Sequence, residues 1–261
     1  MNVRQATASS QATIAEPEAP ATDTATAAPA PTPRHLQRPQ LTTVLFDLDG
    51  TLLDTAPDLI GAANDLLAEK GHPPLPDGLY APVVSHGSAA MIARSFNIGP
   101  HEARMQPLRA RFLRLYRRRV SRLTRPFPGI LELLDTLDAA GIRWGVVTNK
   151  PAWLTEPLLD DQGLAARASC IVSGDTVPCR KPDPRPIVHA CERAGARPRE
   201  TVVVGDAQRD IRAGTLAGTA TLAALFGYIC AEDNPTYWGA DGLLGTPGEL
   251  TRWLPDGTDR D

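Results

Sequence analysis

From residue 41 onward, short apolar runs alternate with longer stretches whose apolar residues recur every three or four positions. The runs are LTTVLFD (41–47), RWGVVT (143–148), ASCIVS (168–173), TVVVGD (201–206) and ATLAAL (220–225). Each is apolar on both faces, the pattern of a strand covered by helices on either side. Between them lie ILELLDTLDAAG (130–141), AWLTEPLLDDQG (152–163), PIVHACERAG (186–195) and AQRDIRAGTLAG (207–218), several ending in a Gly that stops a helix. This alternation predicts an α/β fold, a doubly wound parallel sheet with right-handed crossovers.

One segment breaks the alternation. Residues 58–127 read as helical throughout, with helices expected over 58–71, 87–96 and roughly 101–123. In the last of these, Met105, Leu108, Phe112 and Leu115 form one apolar stripe, and Leu113, Tyr116, Val120 and Leu123 a second. Its arginines at 109, 111, 114, 117, 118, 119 and 122 read as a solvated face. A helical insertion directly after the first strand predicts a cap domain over 58–127, hinged near 55–57 and 124–128, on a core formed by 41–57 and 128–254.

Residues 1–40 differ from the rest, being rich in Ala, Thr and Pro with no aromatic before Phe46. Such a segment buries too little apolar surface to offset its ordering entropy and is expected to be disordered. It also lacks a signal peptide's apolar core, and its acidic residues speak against a transit peptide.

Composition narrows the function classes. A chain of 261 residues with 42% hydrophobic and 22% charged residues can bury a substantial core. A net charge of −3 gives no reason to expect nucleic acid or an acidic membrane surface as partner, and no run is long enough to cross a bilayer. The four cysteines form no CxxC pair, which suits reduced thiols in a cytoplasmic protein. A small molecule is the expected partner, for a monomer or homodimer.

The candidate chemistry gathers at the carboxyl ends of the strands, where open α/β sheets bind ligands. Strand one ends in Asp47, Asp49, Gly50 and Thr51; the next in Thr148, Asn149 and Lys150. Lys181 follows the third, and Asp206 and Asp210 the fourth. Each group alone has an ordinary explanation: a DG turn, a helix cap, a surface lysine. DLDG also resembles the start of a calcium loop, but its Gly arrives two positions early and the closing Glu is missing. Jointly the groups suit phosphoryl transfer. A phosphate ester dianion repels an attacking carboxylate, so the site needs a lysine and a divalent cation, and hard oxygen ligands favour Mg²⁺. One carboxylate can then attack phosphorus while a second serves the leaving group and the water.

FDLDGTLLDT, VVTNK, the KPDP lysine and VVVGDAQRD resemble the four ordered motifs of the haloacid dehalogenase (HAD) superfamily of aspartate-nucleophile phosphatases. The resemblance covers nearly all of 41–254 and implies a Rossmann-like core with an inserted α-helical cap. It makes Asp47 the nucleophile, Asp49 the general acid/base and Lys181 the charge neutraliser. Gly50, Thr51, Thr148 and Asn149 become phosphate-binding residues, and Asp47, Asp49, Asp206 and Asp210 the Mg²⁺ site. Asp54 and Asp58 would shape the exit into the cap, Asp58 by capping its first helix. Dehalogenases lack the second aspartate, so Asp49 points to a phosphatase. A phosphomutase of the β-phosphoglucomutase type is the nearest alternative, and a non-catalytic binding protein on the same fold the next.

DTAPDL, RPFPG, TNKPAW and RKPDPRP resemble the phosphoglycolate phosphatase group, while FGYICAEDNPTYWGAD resembles the ending of bacterial N-acetylmuramic acid 6-phosphate phosphatases. Within the cap, SHGSAAMIARSF (85–96) is the expected specificity element, with Arg94 meeting a substrate carboxylate.

Overall fold

A computed structural model describes residues 41–230 and 233–255. The 1–40 tail, expected to be disordered, lies outside them. Six parallel strands form the sheet: β1 (Thr43–Phe46), β4 (Arg143–Val147), β5 (Ile171–Val172), β6 (Thr201–Gly205), β7 (Ala220–Ala224) and β8 (Gly242–Leu244), in the order β5-β4-β1-β6-β7-β8. Helices α4 (Ile130–Ala139), α5 (Ala152–Asp161), α6 (Arg185–Ala194) and α7 (Gln208–Ala217) connect them. The doubly wound sheet expected from the alternation is the one observed.

The burial pattern explains why both faces of each run are apolar. Leu45, Val147 and Val203 pack with Ile187, Ala190, Ala194 and Ala213 from α6 and α7. Their chain neighbours Val44, Phe46, Val146, Val202 and Val204 turn the other way, into a core with Leu133, Leu134 and Leu137 of α4 and Leu154 and Leu158 of α5. The chain leaves β1 for β4 and β5 on one side and returns to β6 and β7 on the other. β1 therefore sits where strand order reverses, the crevice in which such sheets bind ligands.

Two features depart from the expected pattern. β5 was expected over 168–173 but is regular over only two residues, although Ser169 N and Cys170 O still hydrogen-bond to β4. β8 was not expected: it is three residues long, begins with Gly and leaves Leu243 partly exposed, so it lacks the apolar signature of the central strands.

Three helices are inserted between β2 (Leu53–Asp54) and β3 (Arg125–Pro126): α1 (Ala56–Glu69), α2 (Gly87–Phe96) and α3 (Met105–Arg119). α3 is shorter than the 101–123 expected. Its stripe of Met105, Leu108, Phe112, Leu115 and Tyr116 is buried, while Leu123 is exposed. The arginines are not one solvated face. Arg111 pairs with Glu69, Arg119 pairs with Asp65 at 2.9 Å while lying against Gly61, and Arg109 turns toward a cavity described below.

The two crossings between insert and sheet are tied together. β2 and β3 form an antiparallel ribbon, with Leu53 opposite Pro126 and Asp54 opposite Arg125. Asp58 does not cap α1 with its side chain. Buried Asp58 accepts through Oδ2 from Leu123 N, Thr124 N and Thr124 Oγ1, each at 2.9 Å, so it latches the first turn of α1 to the segment that leads into β3. Asp54 Oδ1 accepts from the Tyr228 hydroxyl at 2.7 Å, joining the same crossing to the loop after β7.

Asp58→Ala leaves the buried Thr124 N–H and hydroxyl without their acceptor, at a cost of about 1–3 kcal/mol each. The expected result is a loss of about 2–4 kcal/mol in a urea unfolding curve. A loss below about 0.5 kcal/mol, the range of ordinary surface substitutions, would refute the latch.

Candidate active site

The ends of β1, β4 and β6 converge on one buried charge cluster. Asp47 directly follows β1, Thr148 follows β4 and Asp206 follows β6; all three are buried. Lys181 Nζ lies 2.8 Å from Asp47 Oδ1 and 2.8 Å from Asp210 Oδ1, and donates to the Val147 carbonyl at 2.6 Å. Arg209, in the first turn of α7, lies 3.8 Å from Asp47 Oδ2 and 3.9 Å from Asp210 Oδ1.

These contacts set the protonation of the cluster. Burial pushes Asp47 up, but the charges of Lys181 and Arg209 outweigh it and hold the carboxyl below its ordinary value. Burial also opposes the charge on Lys181, yet Asp210 and Asp47 hold the ammonium above its ordinary value. Asp206 has no such cation in contact. Burial, then the charges of Asp47 and Asp210, push it up to about 8. Burial likewise raises Asp210.

Asp206 is held by hydrogen bonds instead: Oδ1 accepts from Thr51 Oγ1 at 3.3 Å, and Oδ2 from Tyr228 N at 3.0 Å and Ser85 Oγ at 3.3 Å. Ser85 lies between α1 and α2, so the insert touches the cluster directly. Gly50 has φ +88°, and a Cβ there would collide with the Asp206 carboxylate and the Tyr228 ring. Glycine at this position lets the turn after β1 close onto β6.

The remaining expected residues divide. Asp49 does not join the carboxylate cluster. Its Oδ1 accepts from Thr55 Oγ1 at 2.7 Å and pairs with Lys150 Nζ. Lys150 also donates to the Tyr116 hydroxyl at 2.9 Å, and burial pushes that phenol up to about 12. Asn149 spends its side chain on Lys181: Nδ2 donates to Lys181 O and Oδ1 accepts from Lys181 N, both at 3.0 Å. Arg94 is exposed on α2 and does not line the cavity over the site. That cavity, of about 430 Å³, is lined by Asp47, Asp49, Thr148 and Arg209 on the sheet side, and by α2 and α3 on the other. Sequence reasoning did not single out Arg209, Tyr116, Arg109 or Arg180. Arg209 had a signal, standing between the two aspartates of GDAQRD; the others had none.

The cluster fits a divalent cation. Carboxylate oxygens of Asp47, Asp206 and Asp210 lie within 4.8 Å of one another, all from buried residues. Two cations, Lys181 and Arg209, face three carboxylates there. Hard oxygen donors with excess negative charge are the ligand set Mg²⁺ takes.

The profile of haloacid dehalogenase-like hydrolases matches residues 44–224. The chain belongs to this family. An N-acetylmuramic acid 6-phosphate phosphatase of Pseudomonas aeruginosa is 44% identical over 215 residues, 82% of this chain and 95% of its own. A phosphoglycolate phosphatase of Xylella fastidiosa is 43% identical over 212 residues, 80% of this chain and 91% of its own. Among solved structures, a predicted phosphoglycolate phosphatase from Haemophilus somnus superposes with a TM-score of 0.72 at 26% identity, over 82% of this chain and 97% of that one. CbbY from Rhodobacter sphaeroides, in complex with phosphate, gives 0.65 at 24% identity, over 80% and 96%. The phosphoric monoester hydrolase read from the four motifs is borne out by these relatives.

The raised Asp206 gives a test of the metal cluster that needs no substrate. In metal-free protein the folded state keeps the Asp206 proton up to about pH 8, whereas the unfolded state releases it near the ordinary carboxyl value of about 4. The folded state binds more protons across this window, so stability falls as pH rises through it. Asp47 has the opposite sign, but its contribution is complete by about pH 5. Urea curves in EDTA are expected to show lower stability at pH 8 than at pH 5.5, and saturating Mg²⁺ to remove the difference. Equal slopes with and without Mg²⁺ would place the ion elsewhere.

Proposed function

We propose that the chain is a Mg²⁺-dependent phosphomonoesterase of the cytoplasm. Its substrate is a small carboxylated or sugar phosphate, N-acetylmuramic acid 6-phosphate or 2-phosphoglycolate. The observation that carries this reading is the pair of carboxylates after β1, two residues apart and in different surroundings. Asp47 is buried and held ionised by Lys181 and Arg209. Asp49 faces the cavity and belongs to a separate hydrogen-bonded group with Thr55 and Lys150.

In the proposed reaction a carboxylate oxygen of Asp47 attacks phosphorus. The bond from phosphorus to the ester oxygen breaks, and Asp49 as the acid gives its proton to the departing alkoxide. Asp49, now ionised, takes a proton from water as that water attacks the aspartyl phosphate. The bond to Asp47 breaks, inorganic phosphate leaves and both carboxyl groups return to their starting states. Lys181 and Arg209 offset the charge of the transferring group. Thr148 Oγ1 accepts from Lys150 N at 3.1 Å, which leaves its hydroxyl proton to donate to a phosphate oxygen. With the Asn149 side chain committed to Lys181, its main-chain N–H is the remaining donor from that residue. Asp47, Asp206 and the Asp49 carbonyl would hold Mg²⁺, with Asp210 behind them. When bound, the ion supplies positive charge that lets a carboxylate approach a phosphate dianion.

The helices between 58 and 127 serve in this reading as the cap of a core formed by 41–57 and 128–254. Ser85 and Tyr116 support it, since both reach from the insert to residues of the site. The named relatives favour hydrolysis over the mutase alternative, which would convert a sugar 1-phosphate to the 6-phosphate with little release of inorganic phosphate.

Purified protein with Mg²⁺ is expected to release inorganic phosphate from one of the two esters. Asp47→Asn abolishes release, and Asp49→Asn lowers kcat by about 10²–10⁴-fold. A kcat/KM ratio of about a hundred between the esters, about 2.7 kcal/mol, assigns the substrate. If the unaltered protein releases no more phosphate than Asp47→Asn, the enzyme reading fails.

A further inference from the structure

The cavity carries positive charge that the phosphate-handling residues do not use. Arg109 of α3 and Arg180, just before Lys181, both line it. The Arg109 Nε donates to Ser88 Oγ at 2.8 Å, and Arg180 Nε donates to Gly174 O at 2.7 Å. Among the described residues no carboxylate pairs with either guanidinium. Burial and the neighbouring Arg180 charge both push Arg109 below its ordinary value, the mark of like charges held close in a partly desolvated place. Arg109 is half-buried and Arg180 exposed, so both guanidiniums remain open to an incoming anion.

Its position relative to the site follows from the helix. Tyr116 and Arg109 are seven residues apart on α3, so they share a face and are offset by about 10 Å along the axis. Tyr116 marks the catalytic end, through Lys150 and Asp49. Arg109 lies two turns further toward the start of the helix, where Gln106 also lines the cavity.

We propose that Arg109 and Arg180 form a second anion subsite, which selects phosphate esters carrying a carboxylate on the far side of a sugar ring from the phosphate. This rests on the phosphatase reading above and refines its substrate. Guanidinium forks match a carboxylate in two parallel hydrogen bonds, and Ser88 and Gly174 hold each fork by Nε while leaving the terminal nitrogens for a ligand. A two-carbon glycolate keeps its carboxylate beside its phosphate and fills little of the cavity. A hexose 6-phosphate with an acidic ether on the ring holds the two anions apart and occupies the volume between them. The subsite therefore favours N-acetylmuramic acid 6-phosphate over 2-phosphoglycolate.

The test compares N-acetylmuramic acid 6-phosphate with N-acetylglucosamine 6-phosphate, which differs from it by lacking the lactyl ether and with it the carboxylate. The unaltered enzyme is expected to prefer the acid in kcat/KM. Arg109→Gln reduces that preference at least about tenfold, mainly through KM, while Arg109→Lys keeps part of it. A preference that survives Arg109→Gln, or an equal fall on both sugars, overturns the subsite. Binding is read separately by calorimetry with the Asp47→Asn protein, using N-acetylmuramic acid and N-acetylglucosamine without phosphate. The acid is expected to bind more tightly, with the difference lost when Arg109→Gln is added; equal binding of the two sugars overturns the subsite. If no phosphate ester is turned over, the phosphatase reading fails while calorimetry still decides the subsite.

Discussion

The site is organised by a charge imbalance. Asp47, Asp206 and Asp210 are brought together in a buried place where like charges repel, and Lys181 is the fixed counter-charge in contact with two of them. Lys181 comes from a loop rather than from the sheet, so its own position must be fixed. Asn149 does this, clamping the Lys181 main chain with both atoms of its amide. The tight turn at Gly50 and the hydrogen bonds from Thr51, Ser85 and Tyr228 to Asp206 belong to the same balance. They hold in place the carboxylate that lacks a cation.

The helical insert is bound to this cluster at both ends. Asp58 and the β2–β3 ribbon join its two crossings. Tyr228 ties the crossing to the loop after β7 through its hydroxyl, and the same residue's main-chain N–H donates to Asp206. One residue thus couples the root of the insert to the metal-fitting cluster. At the other end Ser85 reaches Asp206, and Tyr116 reaches Lys150 beside Asp49. The general acid of the proposed reaction is therefore positioned by contributions from both the sheet and the insert.

The sheet was legible because central strands carry the plainest signal a sequence offers, consecutive apolar residues bounded by polar strand ends. β8 and the β2–β3 ribbon were not, since elements of two or three residues leave no periodicity to read. Within the site, Asp47, Asp206 and Lys181 were legible because their strand-end placement has a chemical purpose. Asp58 and Arg94 show where such reasoning stops. An aspartate in the first turn of a helix ordinarily caps it, but here the segment returning toward β3 offers three donors at once. An arginine on α2 and one on α3 look alike in sequence. Which of them meets the cavity depends on how the helices are rotated against each other, and helical spacing alone does not decide between two apolar stripes on the same helix.

Asp49 has to be both fixed and reactive, and its two oxygens divide these demands. Oδ1 is held by Thr55 and Lys150, while Oδ2 has no hydrogen-bond partner among the described residues. The first oxygen sets the orientation of the carboxyl group; the second is available to carry the proton. Lys150 could not hold its place without a partner on its other side, because a buried ammonium needs its donors satisfied. Tyr116 supplies that partner through an oxygen acceptor and stacks its ring beneath the ammonium at 4.7 Å. A phenol suits the position better than a carboxylate would. A second acid there would compete with Asp49 for Lys150, and would add one more negative charge to a site that already has an excess.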